Sequence, residues 1–134
     1  IVYRFFNDAG EALAPGQYRL TWVPEGYEES YIEAFDYYIF IEYENIEGQK
    51  LYLYCTRLND RAQFEAVLDE MMEPVEVTVD GMRGMFYQSK VSAQFNELFW
   101  FDDEHDIAFQ LSSSLEKSVM LHMAENVGLV NSTN

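Results

Sequence analysis

The stretch from Tyr37 to Arg57 constrains the fold more than any other part of the chain. In Tyr37-Tyr38-Ile39-Phe40-Ile41-Glu42-Tyr43 every position but Glu42 is large and apolar or aromatic. Asn45-Ile46-Glu47-Gly48 follows, with a glycine suited to positive φ, and Lys50 to Arg57 then returns. This is the pattern of a β-hairpin. Strand side chains alternate between faces, so Leu51, Leu53 and Cys55 share one face and Tyr52 and Tyr54 the other. A sheet that is apolar on both faces needs a cover on each.

The remaining segments extend the same pattern. Tyr18 to Val23 alternates and predicts a strand, ended by Pro24-Glu25-Gly26. Tyr27 to Phe35 predicts a strand near a sheet edge, with Tyr27, Glu29, Tyr31 and Glu33 on one face; the charge discourages stray pairing. Val75, Val77 and Val79 alternate with Glu76 and Thr78, and Asp80-Gly81 marks a hairpin returning over Gly84 to Ser89. Gln94 to Phe101 and Ile107 to Ser112 predict two more strands, joined by the charged run Asp102 to Asp106. Ile1 to Phe6 predicts a short further strand. Phe64, Val67, Leu68 and Met71 have helical spacing and predict a short helix near 60–72, stopped by Pro74. Ser113 with Glu116 forms a capping-box pattern, which predicts a final amphipathic helix over 113–127. Gly128 stands where a left-handed C-cap belongs, and 128–134 are expected to fray.

The predicted class is α+β: a curved antiparallel sheet of about seven or eight strands with the C-terminal helix packed across one face. No repeat or linker interrupts residues 1–134, so a single domain with its core in 17–127 is expected.

Composition excludes several functions. Lys and Arg number 8 against 24 Asp and Glu, a net charge of -16. Nucleic-acid binding relies on Lys and Arg displacing counterions, and an anionic membrane surface repels such a chain. Neither partner is expected. The longest strongly apolar run, Tyr37 to Ile41, is far short of the about 20 residues that span a bilayer, so this fragment is not expected to insert. The chain opens Ile1-Val2 without Met or a signal-peptide pattern, and the expectation is a fragment or processed product.

Chemistry-bearing motifs are few. No nucleophile elbow, zinc-protease, phosphate-loop or dinucleotide motif occurs. Cys55 is the sole cysteine, so an intrachain disulfide is excluded. Its neighbours Leu53 and Tyr54 make it a small hydrophobe in a strand. Asp102-Asp103-Glu104-His105-Asp106 admits a weak divalent-cation site, but its spacing matches no EF-hand and it lacks the glycine that lets a chain wrap an ion. A solvated hairpin connection is the favoured reading. His122 belongs at the flank of the final helix, and adjacent acids such as Glu28 and Glu29 are chance neighbours in so acidic a chain. No catalytic residue, cofactor or metal ligand is assigned. The aromatics offer the one candidate ligand or partner surface: Trp22, Tyr38, Tyr52, Tyr54 and Trp100.

Four segments carry a resemblance through their order and spacing. They are Leu20-Thr21-Trp22-Val23-Pro24-Glu25-Gly26-Tyr27; Val77 to Gly81 followed by Gly84; Leu98-Phe99-Trp100-Phe101-Asp102-Asp103; and Ala108 to Ser112 with a helix closing on Met123-Ala124-Glu125-Asn126-Val127. Together they resemble an uncharacterised bacterial family, domain-of-unknown-function family forty-three sixty-seven, over roughly Gln17 to Val127. The resemblance implies an extracytoplasmic C-terminal domain of a membrane-anchored protein, similar to anti-sigma-factor regulators. It supplies no catalytic residue. The architecture is also similar to half-barrel lipoprotein carriers. The expected function is therefore a non-enzymatic extracytoplasmic interaction or sensor domain, tethered by a segment upstream and meeting a protein or peptide partner. The alternative is a carrier of an apolar small ligand, held between sheet and helix.

Overall fold

In the computed structural model, residues 18–35, 37–57, 74–89 and 95–129 are described. They contain β1 (Tyr18–Leu20), β2 (Glu28–Phe35), β3 (Tyr38–Glu44), β4 (Lys50–Arg57), β5 (Val75–Val79), β6 (Met82–Tyr87), β7 (Asn96–Asp102), β8 (Ile107–Ser113), α1 (Lys117–Ala124) and β9 (Val127–Leu129). The predicted strand at Ile1 to Phe6 and the predicted helix near 60–72 lie outside the described residues.

Two antiparallel meanders build one sheet. The strands β2-β3-β4 form the first and β5-β6-β7-β8 the second. β4 pairs with β8, giving a seven-stranded sheet in the order β2-β3-β4-β8-β7-β6-β5. β1 and β9 form a separate antiparallel pair. The fold class is α+β, as the strand and helix patterns predict.

Turn chemistry sets the hairpins. Asn45 Oδ1 accepts from the backbone N–H of Glu47 at 3.1 Å and of Gln49 at 2.9 Å, while Gly48 takes φ +82°. Asp80 and Gly81 both adopt positive φ, 48° and 80°. That is the backbone of a two-residue turn whose twist matches its strands.

Period-two burial decides the faces. On the α1 side Ile39, Ile41, Leu51, Leu53, Cys55, Leu98, Trp100 and Leu111 are all fully buried. Each large apolar side chain so enclosed contributes roughly 1.5–3 kcal/mol. Trp100 stacks on Phe109 with centroids 5.1 Å apart and planes at 8°. Met120, Met123 and Ala124 of α1 close this core. The opposite face holds a second buried cluster of Met85, Tyr87, Phe99, Phe101 and Ala108.

Several boundaries differ from the sequence reading. The first strand ends at Leu20, three residues short of Val23, and its pairing with the C-terminal segment closes on the hydrogen bond from the Thr21 N–H to the Asn126 carbonyl at 2.7 Å. A bulge between Glu29 and Tyr31 shifts the register of β2, so Tyr27 joins the core while Tyr31 and Glu33 take the outer face. The Ser30 hydroxyl reaches Glu42 there, at 2.9 Å from Oε1. The helix begins at Lys117, not Ser113. Ser113 stays in β8 opposite Asn96, buried, and its Oγ accepts from the Leu115 N–H at 3.1 Å. Gly128 is no C-cap: within β9 it pairs with Arg19. Asn126 finishes the helix by donating from Nδ2 to the His122 carbonyl at 2.8 Å.

Gly84 is required by close packing. A Cβ there would lie 2.7 Å from the Phe99 carbonyl oxygen and 3.2 Å from Trp100 Cβ. Backbone cannot yield as a flexible side chain does, so Gly84→Ala is expected to lose roughly 1–3 kcal/mol of stability. Urea denaturation measures this, and an unchanged midpoint would contradict the packing at the β6–β7 contact.

Candidate functional site

The outer face of the sheet, away from α1, carries an aromatic strip over β3 and β4. Tyr38 and Phe40 alternate with the core residues Ile39 and Ile41, and Tyr52 and Tyr54 alternate with Leu51 and Leu53. The Phe40 and Tyr52 rings stack 5.4 Å apart at 23°, and Tyr38 meets Tyr54 at 5.4 Å. Phe95 extends the strip, 5.6 Å from Tyr52. Where the strip meets β8 there is a hollow of about 250 Å³, lined by Phe40, Tyr52, Tyr54, Gln110 and Ser112. The pairing of β4 with β8 creates it, since Tyr54 stands opposite Gln110 and Tyr52 opposite Ser112. It falls below the about 300–1,000 Å³ of drug-sized pockets, so it suits a head group or a single side chain.

Glu97 of β7 backs the polar wall. Gln110 Nε2 donates to Glu97 Oε1 at 2.8 Å, and the Ser112 hydroxyl donates to the same oxygen. Burial raises the Glu97 pKa above the usual carboxylate value, and the two donors pull it back in part. A second carboxylate, Glu33, accepts from both Tyr38 and Tyr31 hydroxyls, the latter at 2.8 Å. The Tyr38 hydrogen bond, then that of Tyr31, holds the Glu33 pKa low, and the Glu33 contact pushes the Tyr38 phenol up. Glu42 sits 3.5 Å from Lys50 Nζ at the strip's margin.

The structure gathers three of the five residues that the sequence nominates: Tyr38, Tyr52 and Tyr54. The other two lie elsewhere. Trp22 stands on the α1 side, its ring 4.3 Å from that of His122. Trp100 is corrected from surface to core, with no exposed area, because it alternates in phase with Leu98 under α1. Phe40, Gln110, Ser112 and Glu97 escaped the sequence reading. Phe40 was legible from its alternation with Tyr38, and Glu97 from its place one residue out of phase with Leu98. Their convergence was not, because it depends on the β4–β8 register.

Other chemistry-bearing groups stay apart from the hollow. Burial pushes the Cys55 thiol pKa up, so it remains protonated at neutral pH. His105 Nδ1 lies 2.8 Å from Asp102 Oδ2 within the β7–β8 turn, where Asp106 takes φ 55°. Among the described residues no group of three or more His, Cys, Asp and Glu is placed to hold a metal ion.

The raised pKa of Glu97 has a pH consequence. Its stabilising contribution is complete below the unfolded carboxyl value of 4.5 and is lost as pH rises through the higher folded value. Glu97→Gln is therefore expected to leave stability at neutral pH undiminished and to flatten its decline above pH 4.5. Thermal melts across the acidic-to-neutral range measure both, and a variant markedly weaker at neutral pH would contradict the assignment.

No curated protein matches the chain. Residues 17–127 match the model of the family described as Domain of unknown function (DUF4367). The match takes in every described strand through β8 and the whole of α1, hence all the residues that form the hollow, and the chain belongs to that family.

Proposed function

We propose that the chain is a non-enzymatic sensor or interaction domain, displayed outside the cytoplasmic membrane, that binds through the aromatic hollow on the outer face of its sheet. The observation that carries the reading is the hollow itself. Its walls, Phe40, Tyr52 and Tyr54, stand on strands whose other side chains are locked into the α1-side core. Such a site is pre-organised, which favours binding because little ordering remains to be done. The buried thiol of Cys55 and the engagement of His105 with Asp102 support a binding role over a catalytic one. No helix among the described residues is long and apolar enough to cross a membrane, so this reading requires a tether outside them. An apolar small ligand is the second reading, and it would use the same hollow, since Met120, Met123 and Ala124 fill the space between sheet and helix.

Two measurements test this. An NMR screen with neutral, cationic and anionic fragments is expected to shift the resonances of Phe40, Tyr52, Tyr54, Gln110 and Ser112 together. Shifts confined to other residues would contradict the assignment. In intact cells the full-length protein is expected to be cleaved by protease added outside and to fractionate with membranes. Complete protection from that protease would overturn the extracytoplasmic placement.

A further inference from the structure

We propose that β5 is a strand-addition edge, which pairs with an extended segment of another protein in which basic and apolar residues alternate. This surface is separate from the hollow over β3 and β4. Among the described strands β5 closes the far end of the sheet. Asp80 and Gly81 form a two-residue turn with both φ angles positive, so the flanking Val79 and Met82 are the hydrogen-bonded pair that closes the hairpin. Hydrogen-bonding direction alternates along a strand. Val75, Val77 and Val79 therefore spend their N–H and carbonyl groups on β6, and Glu76 and Thr78 turn theirs outward. Both of these residues are exposed, and no hydrogen bond reaches their backbone from the described residues. An extended segment laid along β5 meets these donors and acceptors already aligned for a ladder.

The two ends of the sheet are built differently. β2 carries a bulge between Glu29 and Tyr31 and the glutamates Glu28, Glu29 and Glu33. Bulges and charge both obstruct strand addition. β5 lacks the bulge, and Glu76 is the sole charge in a strand of β-branched residues that favour extended backbone. Val75 is 51% exposed. It shares the α1-side face with Val77, where an apolar side chain of the added strand would cover it. On the opposite face Glu76 and Thr78 border a hollow of about 420 Å³ with Gly81 and Arg83, which receives the alternate side chains. A Cβ on Gly81 would meet nothing within 4 Å, so the turn leaves that end open. Arg83 stands opposite Thr78 on β6, one strand further in, so the charge an added strand meets first is Glu76. Glu76 and the net charge of -16 select a basic occupant, whereas a second copy of this chain would bring a further -16 to the contact.

Three synthetic peptides test this on the whole chain by NMR. They are acetyl-Lys-Val-Lys-Val-Lys-Val-amide, its counterpart with Glu for Lys, and the lysine peptide methylated on every backbone nitrogen. The lysine peptide is expected to bind at least about tenfold more tightly than the glutamate peptide. It should shift the amide resonances of Glu76 and Thr78 and slow their hydrogen exchange, and the methylated peptide should do neither. Thr78→Pro removes an outward donor and no β5–β6 bond. It is expected to abolish peptide binding, with Val79 and Trp100 resonances reporting an intact hairpin and core. If that variant fails to fold, Glu76→Lys serves in its place and should reverse the preference between the lysine and glutamate peptides. Equal binding of the methylated peptide, or no response of β5 to the lysine peptide, would overturn the proposal. So would Glu76 and Thr78 amides already protected in the free chain. A concentration-dependent dimer dissolved by Thr78→Pro would make the occupant a second copy and overturn it as well.

Discussion

The pairing of β4 with β8 holds the molecule together. Each meander is built by local turns, but Leu53 meets Leu111 and Cys55 meets Phe109 only when segments far apart in sequence come into register. Closing so long a loop costs chain entropy before any contact offsets it. The offset is complete enclosure of Leu53, Cys55 and Leu111 and near-complete enclosure of Phe109. α1 packs over the second meander at this seam, and β9 then returns to pair with β1. The Leu20 N–H donates to the Tyr43 hydroxyl at 3.3 Å, tying that outlying pair back to β3. The same seam forms the hollow, which takes its aromatic wall from one meander and its polar wall from the other.

The acidic composition acquires a structural meaning on the outer face. Glu33, Glu42 and Glu97 each accept a hydrogen bond from a neighbouring hydroxyl: Tyr31 and Tyr38, Ser30, and Ser112. The carboxylates thereby fix the orientation of the polar side chains around the aromatics. Among the described strands β2 stands at one end of the sheet and carries Glu28, Glu29 and Glu33, and charge along an edge opposes pairing with another chain. One surplus of acid thus orders the site and protects the sheet edge.

Much of this architecture was legible in the sequence, and several of the failures share one cause, a local signal overridden by a distant strand partner. Alternation in β3, β4, β5 and β8 marked the strands, and Asn45 to Gly48 and Asp80-Gly81 marked their turns, because these signals are local. The capping-box pattern at Ser113 is equally local, yet it lost to the ladder partner Asn96, and the helix starts at Lys117. Gly128 looked like a helix cap and became a strand residue because β1 was there to pair with it. The Ser30 bulge reversed the faces of Tyr27 and Glu29 with no mark in composition. Trp100 was nominated for the ligand surface as an aromatic, although its phase with Leu98 already assigned it to the core. Of the site, the tyrosines were visible and the polar wall was not, since only the long-range register brings Gln110 and Ser112 beside Tyr54 and Tyr52.

Native-state amide hydrogen exchange tests the central role of the seam most directly. Core elements open only with the whole molecule, whereas peripheral ones open locally. If the β4–β8 ladder organises the fold, the amides of Leu53, Cys55, Phe109 and Leu111 will exchange most slowly, with opening free energies equal to that of global unfolding. Faster exchange across the seam than within the β2–β3 and β5–β6 hairpins would show two independently stable meanders and would contradict the account.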